Sequence, residues 1–245
     1  MAVLSHEGTY PILYGSWPIP VKANHRNGYV ARPDEAGQFP VVIVVPGVHG
    51  LSSHEKDICR RLARSGLAAI SLDLYSGGTR DLGAYNALED HMVARDLDEL
   101  HEFIASDDID WCVSPQVGLL GTDIGGRFAL MKAATKEWAR SVGIVYTPLT
   151  GDEDRDVQVA DYLDHLPGPV IGIYGANDDL IDTSTIDEAQ SRNDHGQWLL
   201  YEGVGHGFLD VGADEFDQSA ADDAFARLIA FFTASLEPAV VEDLG

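Results

Sequence analysis

The chain reads as an α/β protein, a doubly wound, mostly parallel sheet with helices on both faces. Three observations predict it. Several apolar runs rich in β-branched residues are too continuous for strands with one wet face, helical periodicity returns between them, and 245 residues suit one such domain spanning 1–245.

Taken in order, Tyr10 to Tyr14 and Gly28 to Arg32 are candidate edge strands. PVVIVVPG then forms a run buried on both faces and stopped by Pro46 and Gly47. Ser52-Ser53-His54-Glu55 offers an N-cap, and DICRRLARSG carries apolar residues at helical spacing up to Gly66. LAAISLDLY is the next strand and LEDHMVARDLDELHEFIAS the next helix. The alternation continues with VGLLG, the helix GGRFALMKAAT, VGIVY, PVIGIYG and QWLLYEG, and closes on a helix over ADDAFARLIAFFTASL. Strand–helix alternation of this kind implies right-handed crossovers, with functional groups on loops at the carboxyl ends of the strands.

Composition narrows the partners. Hydrophobic residues make up 45% and charged residues 23%, ordinary globular usage, but the formal net charge is −24. Such a surface repels a phosphate backbone or an anionic bilayer, so neither nucleic acid nor membrane is an expected partner. A small-molecule substrate is, with the chain a monomer or homodimer. The opening MAVLSHEGTYPILYGSWPIP lacks a basic segment followed by a long apolar run, so a soluble, cytoplasmic protein is expected. Two cysteines, Cys59 and Cys112, make neither a disulfide framework nor a zinc pattern, and no metal or cofactor is expected.

The chemistry concentrates in three loops. Gly121-Thr122-Asp123-Ile124-Gly125-Gly126, between a strand and a helix, has the G-x-Nuc-x-G form of a nucleophile elbow. An Asp there could also simply cap the helix. Asp178, or its neighbour Asp179, follows the strand PVIGIYG, and His206 follows QWLLYEG. The order nucleophile, acid, histidine is that of the α/β-hydrolases.

From about Asn27 onward the chain resembles the dienelactone hydrolase family, small cap-less α/β-hydrolases. The resemblance rests on GYVARP, on VVIVVPGVHGLSSHEKDICRRLARSGLAAISLDLYSGG, on GTDIGG, on GANDDLI and on YEGVGHGF. It implies the α/β-hydrolase fold without a large cap domain, His206 as base and Asp178 as its acid. Two departures stand out: Asp123 occupies the position of the family's Cys or Ser, and Gly47 that of a Glu which helps activate the thiol. Together they make chemical sense. A carboxylate is already ionised at neutral pH, and a second carboxylate beside it would raise its pKa.

A carboxylate attacking an ester gives a mixed anhydride, whereas attack on a strained sp³ carbon gives an alkyl ester that water can cleave. Asp123 therefore points to an alkyl-enzyme ester, cleaved by water that His206 activates, with the backbone N–H groups of Ile124 and Val48 holding the oxyanion. The Asp-Ile-Gly-Gly elbow is similar to those of epoxide hydrolases and haloalkane dehalogenases. Ile124 stands where dehalogenases often carry a halide-binding Trp, so epoxide opening is the expected reaction. Tyr146, Tyr75 and His49 are candidates to line the substrate site and to protonate the opening oxygen. Two alternatives remain: a cyclase, lyase or lactone hydrolase with Asp123 as general base, and a non-catalytic small-molecule binder.

Overall fold

The computed structural model describes residues 8–21, 24–75, 78–151 and 155–236. The first seven residues of the opening segment and Ser76-Gly77 of the LYSGG stretch lie outside the described residues.

The VVIVV run forms β3 (Val41–Val45), buried along its whole length, because it sits in the middle of the sheet with both faces covered. Its neighbours are β4 (Ala68–Leu72) and β5 (Val117–Thr122), both parallel to it and equally buried. Beyond β5 the parallel series continues through β6 (Ala139–Val145), β7 (Val170–Gly175) and β8 (Gln197–Tyr201). On the other side, β1 (Ile12–Val21) and β2 (Asn24–Pro33) form a long antiparallel ribbon that joins the sheet through β2 and β4. The order is β1-β2-β4-β3-β5-β6-β7-β8.

The opening strands are thus longer than the sequence suggests, and only β1 is an edge. Their pattern is blurred because β1 leaves the neighbours Leu13 and Tyr14, which point to opposite faces, both exposed.

The helices are α1 (Ser53–Arg64), α2 (Leu82–Asn86), α3 (Asp90–Ile104), α4 (Gly125–Thr135), α5 (Thr183–Arg192) and α6 (Gln218–Leu236). A 3₁₀ helix spans Val159–His165 between β6 and β7. Glycines in β5 reveal how helices take both faces of the sheet. Gly118 and Gly121 are three apart, so a Cβ on each would leave the strand on opposite faces. The first would meet Phe232 of α6, and the second would meet the backbone of Gly126 in α4. α1 shares the α6 face, its Arg61 stacking on Phe225, and α3 packs beside α4.

Local chemistry starts α1 where the sequence expects it. Ser52 Oγ accepts the His54 N–H at 3.0 Å while Glu55 Oε2 accepts the Ser52 N–H at 2.9 Å, a reciprocal capping box. α2, α5 and the 3₁₀ helix escaped the sequence reading because they are short or polar and carry little periodicity. No described helix is long and apolar enough to cross a membrane, and no described group of His, Cys, Asp and Glu is arranged to hold a metal ion.

Candidate active site

The turn from β5 into α4 is too tight for ordinary backbone. Asp123 has φ 49°, left-handed and costly for a residue with a Cβ. Neighbouring glycines make it feasible, since Gly121 and Gly126 pack backbone to backbone. The strained residue is pinned by its N–H to the Val145 carbonyl (2.9 Å) and by its own carbonyl to the Gly126 N–H (3.1 Å).

The Asp123 carboxylate does not cap α4, whose N-cap residue is Ile124 and has no side-chain cap. Instead Oδ2 accepts the Val48 N–H at 3.0 Å. Burial pushes the Asp123 pKa up. Backbone hydrogen bonds from Val48 and Ile124 and the nearby His206 and His49 oppose this without cancelling it. Gly47 is required by the same placement. A Cβ there would lie 2.9 Å from the Asp123 Cβ and 3.0 Å from Oδ2. The two departures from the family pattern are therefore coupled sterically as well as by charge.

Asp178 stands three residues beyond β7, its side chain almost wholly buried. Oδ1 accepts the Leu180 N–H at 2.8 Å, and Oδ2 is 2.9 Å from His206 Nδ1. Asp179 is exposed, so of the two candidate acids the fold selects Asp178. His206 turns Nε2 toward Asp123 Oδ1 at 3.7 Å, just outside hydrogen-bond reach. Burial opposes the imidazolium, but the bond to Asp178 and the charges of Asp178, Asp123 and Glu215 outweigh it and raise the His206 pKa.

These groups open onto a cavity of about 290 Å³. His49 lies exposed on its rim and Tyr146 in its wall. Tyr75 is not among the lining residues. It packs behind Gly50, where burial and then the Asp123 charge push its phenol to about 12. Three of the strand-end loops therefore bring Asp123, Asp178 and His206 together, with Val48, Ile124, His49 and Tyr146 close by and Tyr75 set back.

Sequence reading passed over His54, Glu55, Asp210 and Glu215, which also line the cavity. His54 and Glu55 register in sequence only as parts of a helix cap, yet Glu55 also accepts the hydroxyl of Thr122, the residue before Asp123, at 3.3 Å. Tyr146 Oη lies 2.6 Å from His54 Nε2, and its ring lies 4.9 Å from that of His206. With φ 38° it joins Asp123 as one of the two described non-glycine residues at positive φ. No local motif announces this pair, because His54 and Tyr146 are 92 residues apart along the chain.

The dienelactone hydrolase family model matches residues 27–236. A Yersinia pestis protein provisionally named carboxymethylenebutenolidase is 28% identical, covering 92% of this chain and 90% of its own. A Bradyrhizobium protein is likewise 28% identical over 87% and 91%, and is named as a probable 2-oxo-3-(5-oxofuran-2-ylidene)propanoate lactonase. Among solved structures, a provisionally named dienelactone hydrolase of Klebsiella pneumoniae superposes with a TM-score of 0.83 at 26% identity, covering 91% of this chain and 99% of the other.

Proposed function

The chain belongs to the dienelactone hydrolase family and has its α/β-hydrolase fold, and from that premise we propose that it hydrolyses a small oxygen-ring substrate, an epoxide, through an alkyl ester on Asp123. The observation that carries this reading is the orientation of the Asp123 carboxylate. Its Oδ2 accepts the Val48 N–H at 3.0 Å, filling the hole that a substrate carbonyl oxygen would need for acyl attack. Its Oδ1 is left as the attacking atom, and a carbon that develops no oxyanion of its own is the electrophile this arrangement suits.

In the second step His206, oriented by Asp178, removes a proton from water, and the hydroxide attacks the Asp123 acyl carbon. The negative charge then develops on Oδ2, already seated on the Val48 amide, so the same donor serves the tetrahedral intermediate without rearrangement. Substrate charge is also constrained. Besides Asp123, the described lining includes Glu55, Asp210 and Glu215 and no Lys or Arg, which favours a neutral molecule over an anionic one.

Lactone opening, with Asp123 activating water, is the second reading, and the names of the Yersinia and Bradyrhizobium relatives favour it. Isotope distinguishes the two. In a single turnover in ¹⁸O water, alkyl-ester chemistry leaves label in the Asp123 carboxylate, and His206→Gln accumulates a mass adduct on the peptide containing Asp123. Label confined to product, with no adduct in the His206 variant, would establish the general-base route instead.

A further inference from the structure

Epoxide opening needs a proton for the ring oxygen, and the cavity offers a second histidine-supported group to supply it. We propose that Tyr146 is the acid that protonates the opening oxygen and that His54 is its positioning residue; the proposal rests on the alkyl-ester reading of Asp123. Both side chains line the cavity that Asp123 and His206 face. Tyr146 Oη is 2.6 Å from His54 Nε2, whose other nitrogen, Nδ1, is 3.9 Å from Asp210 Oδ1. The cavity thus has two histidines, each between an acid and a second polar group: His206 is bonded to Asp178 and faces Asp123, and His54 is bonded to Tyr146 with Asp210 outside hydrogen-bond reach.

Backbone strain points the same way. Tyr146 has φ 38° although the bulky ring disfavours it. It is held there by its N–H to the Ile173 carbonyl at 2.8 Å and by ring packing on His206 and Phe208. A residue whose only task was to fill the core would not need this conformation. Strain of this kind persists where it aims a group at a site, and the only other described example is Asp123 itself.

The steps balance. Asp123 Oδ1 bonds to a ring carbon, the carbon–oxygen bond breaks with its electron pair on oxygen, and that oxygen takes the Tyr146 proton. With His54 as its Nε2–H tautomer, the phenolate formed accepts that N–H across the 2.6 Å contact. When water cleaves the ester, one of its protons leaves with the product alcohol through His206, and the other returns to Tyr146.

Charge is conserved within the cavity. Burial, and after it the charges of Glu55, Asp210, Asp123 and Asp178, hold the Tyr146 pKa well above its ordinary value, so the phenol stays protonated at rest. Esterification neutralises Asp123, one of those charges, at the moment Tyr146 must release its proton.

The test separates leaving groups. His206→Gln protein is exposed to styrene oxide, whose oxygen must be protonated, and to 2-bromoethylbenzene, whose bromide departs without a proton. The rate of adduct formation on Asp123 is followed by mass. Adding Tyr146→Phe should slow the epoxide reaction about a hundredfold or more while the bromide reaction changes by less than about threefold. Adding His54→Gln should slow the epoxide reaction alone, about tenfold, since it acts through Tyr146. Equal losses with both probes would reduce Tyr146 to a packing role and overturn the proposal, as would an undiminished epoxide rate. An absence of adduct with either probe in His206→Gln would defeat the alkyl-ester reading itself, and the acid with it.

Discussion

Two buried polar clusters flank α4, and they differ in a way that separates chemistry from architecture. At its N-terminus, Asp123, His206, Asp178, Tyr146 and His54 combine two strained backbones with one carboxylate oxygen left 3.7 Å from its nearest ring nitrogen. Farther along, Arg127 lies within α4 itself, fully buried, and its sequence neighbours make it look like part of the elbow. Its guanidinium faces away from the cavity. It donates to both oxygens of Asp90 and to the Val157 carbonyl at 2.9 Å, and Arg155 joins Asp90 from the other side. Each of the three guanidinium nitrogens donates there, from unstrained helical backbone. A cluster of paired charges on relaxed backbone holds a fold together, whereas a strained carboxylate with one oxygen unbonded is what a reacting site needs.

The sharpest way to break this contrast is to exchange the signatures of the two clusters. Asp123→Asn should lower turnover by about 10⁴-fold or more, since the amide is a far weaker nucleophile. The folded protein should be as stable as the parent or more so, because Asn tolerates the left-handed conformation and a desolvated charge is removed. Thermal melting alongside a turnover assay checks both halves. A large loss of melting temperature would mean that Asp123 is structural.

Arg127→Met should behave in the opposite sense. Leaving Asp90, about a third exposed, facing Arg155 alone, it should cost about 1–3 kcal/mol by urea denaturation, typical of removing one charged hydrogen-bond partner when another remains. The activity of the molecules that remain folded should change little. Lost activity at full stability would place Arg127 in the site after all.

A smaller effect sharpens the comparison through pH. His206 must be neutral to take a proton from water, and its pKa lies above the ordinary value of about 6.5. Ester cleavage should therefore rise with pH through the His206 midpoint, which esterification of Asp123 lowers from its free-protein position by removing one raising charge, and fall about tenfold per unit below it. Asp178→Asn removes the charge that raises the imidazole and weakens the hydrogen bond to it, so it should move the midpoint down as well as slow the step. Arg127→Met should leave the midpoint where it is. A pH–rate profile of the three proteins measures this, and an unmoved midpoint in Asp178→Asn would detach that acid from His206.

How far the site could be read in advance varies with the signal each residue leaves. Asp123, Asp178 and His206 are legible because each follows an apolar run whose burial dictates a strand, and the loop beyond a parallel strand opens at one end of the sheet. Val48 and Ile124 are legible from the same logic. Tyr75 stands farther from the site than the sequence suggests, because LAAISLDLY reads as a strand running to the tyrosine. β4 instead ends at Leu72, and Tyr75 turns back behind Gly50. His54 and Glu55 register in the sequence as part of a helix start, which Glu55 does cap, and that role hides their second face toward the cavity.

What the sequence determined alone is whatever depends on neighbours along the chain. That covers the alternation of strand and helix, the elbow's need for small residues around Asp123, the cap of α1 and the order of nucleophile, acid and histidine. Distance across the sheet settles the remainder. The 3.0 Å seat of Asp123 Oδ2 on Val48 spans 75 residues, and the meeting of Tyr146 with His54 spans 92. Gly47 shows the division in one residue. Its absent side chain is visible in the sequence, but the reason, an Asp123 carboxylate 3.0 Å from where a Cβ would stand, exists only once β3 and β5 lie side by side. Periodicity and turn chemistry act over a few residues, while packing and hydrogen bonding at a site select among side chains that the chain brings together only by folding.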